Sequence, residues 1–318
     1  MLKNLTWLVT GGSGTFGQVF TRTVLDTCEP KAIRIFSRGE VKQLDMANKF
    51  KDERLRFFIG DVRDRARVYR AMKGVDICVH SAALKQVPTS EYNPIEAVKT
   101  NIDGSINVID AAIDCGVQKV IAISSDKGAN PVNLYGATKL VMERLMIQAN
   151  VYTADTKFAC VRYGNVVGSR GSISTLLPQM IKDGLITITD ENMTRFWITL
   201  DRGVKLVLDS LKDMSGGEIY IPKIPSMRVL DLMEAVAPKV KRKVVGIRPG
   251  EKLHETLVTS DESRHTKEYK DHYVVEPEFP FWLGKDVPEI KPLPKGFTYT
   301  SANNTWWLTK DELRELFK

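Results

Sequence analysis

Apolar residues follow two alternating rhythms over the first half of the chain. Short runs at 6–10, 32–36, 55–59, 75–79, 119–123 and 158–162 are rich in β-branched and aromatic residues and mostly bounded by turn residues, which marks strands. Between them, helical stretches are predicted over roughly 15–27, 39–50, 64–73, 94–115 and 134–150. Strand alternating with helix implies parallel pairing through right-handed crossovers. The predicted fold class is α/β, an open doubly wound parallel sheet of the Rossmann type. After about residue 166 the rhythm breaks into turn-rich pieces and short helices at 174–183 and 201–214. Pro277, Pro280, Pro288, Pro292 and Pro294 predict an extended surface connection, and Thr309 with Glu312 spells a capping box for a last helix. The expected organisation is a dinucleotide-binding domain over 1–165 and a smaller C-terminal substrate-binding region over 166–318.

Composition narrows the class. The 318 residues are 43% hydrophobic and 27% charged, which excludes disordered, collagen-like and disulfide-dense chains. Lys and Arg number 46 against 39 Asp and Glu, a net +7 that suits an anionic small molecule at least as well as nucleic acid. The dense basic cluster from Lys239 to Lys243 has no interleaved aromatics and reads as a solvated face, so no nucleic-acid partner is expected. Cys28, Cys78, Cys115 and Cys160 form no CxxC pair, and the four histidines lack metal-ligand spacing. Free thiols in a reducing cytoplasm and no metal site are expected. The apolar N-terminal run is too short for a membrane span and lacks a cleavage region, so no membrane association is expected.

Candidate chemistry begins after the first strand. Gly11, Gly14 and Gly17, with Ser13, Thr15 and Phe16 between them, open the first helix. Glycines there let backbone N–H groups approach a pyrophosphate at a helix N-terminus. The second strand ends in Ser37 and Arg38, with Lys42 a turn later, where an acidic residue would accept the ribose hydroxyl of NAD. A guanidinium there fits a 2′-phosphate, so NADP is the expected cofactor, although Glu40 leaves NAD open. Asp61 and Val62, ending the third strand, are placed to border the adenine. Tyr135 and Lys139 lie one turn apart on one helix face, as a proton acceptor and the ammonium that lowers its pKa. Ser124 and Ser125 stand at the end of the preceding strand, and Asn101 adds a polar support. Asp126 and Lys127 set an acid beside a base, which a dehydrogenase or 4-epimerase does not need and a dehydration does. A solvated loop pair is the plain alternative. A base at Lys127 calls for a depressed pKa, for which like-charge pressure from Lys85 and Lys139 is the expected source.

The glycine turn, the Tyr135–Lys139 pair and the strand order resemble the extended short-chain dehydrogenase/reductase superfamily. The segment from Ser125 to Lys139 resembles the catalytic segment of the UDP-N-acetylglucosamine 4,6-dehydratases. Stretches 57–64, 82–88, 162–172, 193–199 and 246–254 extend the likeness to the C5-inverting branch that begins pseudaminic acid synthesis. Departures are small: Ser125 stands where relatives often have Thr, and Ser81 and Gly128 where they often have Ala. The resemblance implies Lys127 as the base at C5, Asp126 as the acid at C6, and Tyr135 with Lys139 as the pair at C4. It implies cofactor contacts at Ser13 to Phe16, Ser37 to Lys42, Asp61, Val62, Ser81, Lys85, Ile123, Ser124 and Val166. It places Lys85, Asn165, Arg170, Thr189, Arg195, Arg248 and Glu251 near a UDP-sugar. The implied reaction is NADP-dependent dehydration with inversion at C5. A nucleotide-sugar 4-epimerase, a C5-retaining dehydratase and a non-catalytic NADP sensor are the rivals. A homo-oligomer, dimer or hexamer, is the expected assembly.

Overall fold

The computed structural model describes residues 2–169, 171–282 and 293–317. Arg170 and most of the proline-rich connection therefore lie outside the described residues. Six strands form the predicted parallel core: β1 (Thr6–Thr10), β2 (Ala32–Ser37), β3 (Leu55–Ile59), β4 (Ile77–His80), β5 (Lys119–Ile123) and β6 (Lys157–Val161). They stand in the order β3-β2-β1-β4-β5-β6, every neighbouring pair parallel. The order reverses between β1 and β4, which opens a crevice at their carboxyl ends. Trp7, Leu8, Val9, Cys78, Val79, Val120 and Ile121 are wholly buried. Helices cover both faces of the sheet, which is why these strands are continuously apolar rather than alternating.

The sheet does not stop at β6. Ile219–Pro222 pairs parallel with it, and His272–Val275 and Thr266–Glu268 follow antiparallel to complete nine strands. The chain thus returns to the first sheet after residue 166.

The helices of the first half are α1 (Thr15–Thr27), α2 (Glu40–Phe50), α3 (Arg65–Met72), α4 (Val87–Tyr92), α5 (Pro94–Val98), α6 (Gly104–Asp114) and α7 (Leu134–Gln148). The helix expected over 94–115 is α5 and α6 joined by a π-helical turn at Lys99–Asp103. That turn carries Asn101, whose carboxamide accepts from Leu84 N at 2.8 Å and donates to Leu84 O and the Thr138 hydroxyl at 2.9 Å. It ties the loop after β4 to α7.

A second apolar cluster, including Leu177, Ile188, Trp197, Leu232, Met233 and Leu313, sits apart from the main core. It supports the helix Ile173–Lys182 and the short strands Leu185–Ile188, Thr194–Ile198 and Ser226–Arg228. Cys28, Cys78, Cys115 and Cys160 are all free thiols. Among the described residues, no helix is long and apolar enough to cross a membrane. No group of three His, Cys, Asp or Glu among them is arranged to hold a metal ion.

Candidate active site

A cavity of about 1000 Å³ opens at the carboxyl ends of β1, β4 and β5, between the main sheet and the second cluster. Of the residues singled out in the sequence for catalysis or binding, all line it except Glu40, Val41 and Asn101, which stand off it, and Arg170, which lies outside the described residues.

Its first wall is the glycine turn. Gly11, at φ +67, donates to Phe36 O at 2.8 Å, and Gly14 donates back to Gly11 O at 2.8 Å. A Cβ on Gly17 would stand 2.4 Å from Gly12 O, so only glycine lets α1 pack this close to its own entry loop. The N-cap Gly14 brings no side-chain cap, and the first turn of α1 holds no acid. The free N–H groups and positive dipole end of a 13-residue helix therefore face the cavity. At the tip of β2, the Ser13 hydroxyl donates to Ser37 Oγ at 2.8 Å, and Gln43 Nε2 donates to Ser37 Oγ and Phe58 O at 2.9 and 3.0 Å. Arg38 extends over this wall with 57% of its side chain exposed, 3.8 Å from Asp61. Asp61 is held more closely by Arg63, at 2.7 Å. A long anionic ligand with phosphates at α1 and beside Arg38 and Lys42 fits this wall.

The second wall is the loop after β5. Ser124 N donates to Val161 O at 2.7 Å and Asp126 N to Tyr163 O at 3.1 Å, so neighbouring β6 fixes the loop. Asn133 caps α7, accepting from Gly136 N at 2.7 Å, while its amide donates to Gly250 O at 2.7 Å. A Cβ on Gly136 would lie 2.2 Å from Lys127 O, so glycine permits the first turn of α7 to touch the loop. The Ser125 hydroxyl donates to Asp126 Oδ1 at 2.9 Å, and Lys127 Nζ donates to the same oxygen at 3.1 Å. Asp126 is fully buried and its Oδ2 takes no hydrogen bond among the described residues.

The electrostatics correct two expectations. Burial alone pulls the Lys127 ammonium down, but the carboxylates of Asp126 and Glu255 outweigh it and hold Lys127 above its ordinary value. Lys127 is therefore charged at rest, rather than depressed by like charges. The depressed lysines of the cavity are Lys85, through burial and the charge of Lys127, Lys252, through burial, and Lys139, taken to about 8 by burial. Lys139 Nζ donates to Ile123 O at 2.7 Å. Burial pushes the Tyr135 phenol up to about 12, against a downward pull from Lys127 rather than from Lys139. Asp126 is raised by burial, which leaves its carboxyl ready to hold a proton.

The third wall comes from the second half of the chain: Asn165, Val166, Thr189, Arg195, Arg248 and Glu251. Asn165 Oδ1 and Glu251 Oε2 are buried with no hydrogen-bond partner among the described residues, as groups that face a polar ligand are. The sequence did not single out Glu255, 2% exposed, which reaches Lys127 at 3.3 Å and Arg195 at 3.7 Å. Its only sequence cue is a lone acid after Lys252 and His254.

Sheet order, glycine turn and the Tyr135–Lys139 pair together define an enzyme fold of the extended short-chain dehydrogenase/reductase type. The chain belongs to the family described as polysaccharide biosynthesis protein, whose pattern it matches over residues 7–277. It is 48% identical to a UDP-N-acetylglucosamine 4,6-dehydratase (inverting) of Campylobacter jejuni, over 99% of this chain and 97% of that one. It is 39% identical to a UDP-glucose 4-epimerase of Rickettsia canadensis, over 99% and 96% of the two chains. Among solved structures, Pen from Bacillus thuringiensis is similar at a TM-score of 0.91 and 39% identity, covering 99% of this chain and 97% of that one. The resemblance read from the motifs is borne out by the first of these relatives.

Proposed function

We propose that the protein removes water from UDP-N-acetylglucosamine across C5 and C6 and inverts C5, giving UDP-2-acetamido-2,6-dideoxy-β-L-arabino-hex-4-ulose, with NADP as cofactor. The observation that carries this reading is the contact of Asp126 with Lys127, 3.1 Å apart in the cavity that Tyr135 also lines. Epimerisation at C4 leaves that pair idle.

A nicotinamide dinucleotide bound along the glycine turn supplies the hydride acceptor for C4 and the donor that returns hydride to C6. The uncapped end of α1 would hold its pyrophosphate, and Arg38 with Lys42 would hold a 2′-phosphate. Tyr135 takes the C4 hydroxyl proton as a phenolate, its own proton first lost to solvent, a form that the charge of Lys127 and the Ser125 hydrogen bond favour against burial. Lys127 first passes its own proton to Asp126 Oδ1, a single short step that yields an amine and a carboxylic acid together. The amine then takes the C5 proton, acidified by the adjacent carbonyl, and Asp126 protonates the departing C6 hydroxyl. Return of a proton to the opposite face of C5 inverts that centre. Arg195 and Arg248 suit the diphosphate, and Asn165, Thr189 and Glu251 suit the sugar and nucleotide.

Purified protein incubated with UDP-N-acetylglucosamine in D2O and followed by NMR tests this. A C6 methyl signal with deuterium at C5 and the L-arabino configuration supports it. A D-xylo first product indicates retention, a change at C4 alone indicates epimerisation, and no change overturns the enzyme reading. The exposed apolar side chains of Tyr92, Ile95 and Val98 on α4 and α5, with Val141 on α7, support a homo-oligomer, dimer or hexamer. Light scattering measures its mass.

A further inference from the structure

Glu255 is a buried carboxylate in the wall of the cavity. Its main chain is pinned on both sides: Glu255 N donates to Ser301 Oγ at 2.9 Å, and Ser301 N donates to Glu255 O at 2.8 Å. Its side chain, 3% exposed, reaches into the cavity and meets Lys127 Nζ at 3.3 Å. Lys127 thus lies between two buried carboxylates, Asp126 at 3.1 Å on one side and Glu255 on the other. Glu255 Oε2 is buried without a hydrogen-bond partner among the described residues. A buried carboxylate is costly unless cations offset its desolvation, and here the cations are those of the cavity itself.

We propose that Glu255 is a positioning residue for Lys127, aiming its amine at C5 and stabilising the ammonium that forms as Lys127 takes the C5 proton. This rests on the dehydratase reading above. The division of labour follows from the two carboxylates' surroundings. Asp126, raised by burial, takes and gives a proton. Glu255 is also penalised by burial, but Lys127, Arg195 and Lys252 outweigh that and keep it ionised. One carboxyl moves the proton while the other stays charged, as the third member of a nucleophile triad orients and charges its base without itself being protonated. The charged and titratable groups facing Lys127 are Asp126, Glu255, Arg195, Lys85, Lys252 and Tyr135. Glu255 is the one whose removal deletes a fixed negative charge while leaving the Asp126 carboxyl in place, and with it goes part of the repulsion that helps raise Asp126.

The test uses Glu255→Gln, which keeps shape and removes charge, with Glu255→Asp as the conservative partner. In Glu255→Gln, kcat falls about 10²-fold, in the range for a displaced general base, with KM changed less than about threefold. The isotope effect on kcat with C5-deuterated UDP-N-acetylglucosamine grows, because C5 proton transfer becomes limiting. Glu255→Asp recovers part of the rate. Without any nucleotide sugar, the Lys127 Nζ signal in ¹⁵N NMR, assigned by its loss in Lys127→Ala, titrates at lower pH in Glu255→Gln than in wild type. That measurement stands even if the substrate reading fails, which wild type shows by making no keto product. An unshifted Lys127 titration overturns the proposal, as does wild-type turnover in Glu255→Gln or a loss confined to KM. Should Glu255→Gln lose its cooperative melting, Glu255→Asp carries the test, and an Asp variant with neither activity nor a Lys127 titration near wild type overturns it.

Discussion

Arg162 grips Glu143 by two parallel hydrogen bonds, Nε to Oε1 at 2.9 Å and Nη2 to Oε2 at 2.6 Å, beneath α7. Glu143 lies one helical turn beyond Lys139. The same guanidinium reaches Glu262 at 2.8 and 3.0 Å and Leu257 O at 2.9 Å, so one buried cation joins α7, the end of β6 and the late chain. Replacing Arg162 by Ala strands two buried carboxylates. The expected loss is about 3–5 kcal/mol of folding stability, read from urea unfolding. Arg162→Lys is expected to lose much of it too, since an ammonium cannot fork to two carboxylates. A loss under about 1 kcal/mol in Arg162→Ala contradicts this account.

His80 gives the protein an acid sensitivity in a defined window. Its ring is buried between the Thr10 and Ser105 hydroxyls, at 2.8 and 3.1 Å, and burial takes its pKa from 6.5 to about 3. Between those values the unfolded chain binds a proton that the folded chain refuses, so stability falls as pH drops below 6.5. Glu262, held down to about 2 mainly by Arg162 against burial, loses its contribution only below 4.5. Comparing urea midpoints at pH 7 and pH 5 therefore isolates His80 from Glu262. His80→Asn is expected to shrink the difference, and an unchanged difference assigns it elsewhere.

Lys127→Ala is expected to cut turnover by about 10²–10⁴-fold, the usual cost of a positioned general base. Calorimetric affinity for NADP should stay within about threefold, because Lys127 lies beside the acid loop and away from the glycine turn. Turnover near wild type in this variant contradicts the assignment of the base.

Arg38→Ala is expected to erase most of the preference for NADP over NAD. A charge-assisted contact to a phosphate contributes about 1.5–3 kcal/mol, or roughly 10–100-fold in relative affinity. Titration with both nucleotides measures it, and an unchanged ratio removes Arg38 from the 2′-phosphate site.

The first half of the fold was legible because its signals are local. The runs at 6–10, 55–59 and 119–123 coincide with β1, β3 and β5, and the glycine turn sits where strand meets helix. α4 leaves little periodic signal because it is only six residues long, and its Pro88 is tolerated in the first helical turn, where the missing N–H has no partner anyway. The π-helical turn at Lys99–Asp103 was merged into one long helix, since periodicity over 94–115 barely registers a single inserted residue. Ile219–Pro222 and His272–Val275 were missed because each is four residues long and lies among turns, and only the free edge of β6 explains them. Glu255 was beyond reach for a similar reason. Its meaning comes from Lys127, which the chain brings beside it only after folding.

The way the late strands close the sheet sets an order of assembly. β6 ends at Val161, and its outer neighbour Ile219–Pro222 is made some sixty residues later, with His272–Val275 later still. On the ribosome, the first half of the chain emerges with β6 as a bare apolar edge, its N–H and C=O groups open to any passing strand. A nascent chain stalled near residue 165 is thus the form most exposed to chaperones and to aggregation, and a gene cut at that point yields an insoluble product rather than a nucleotide-binding fragment.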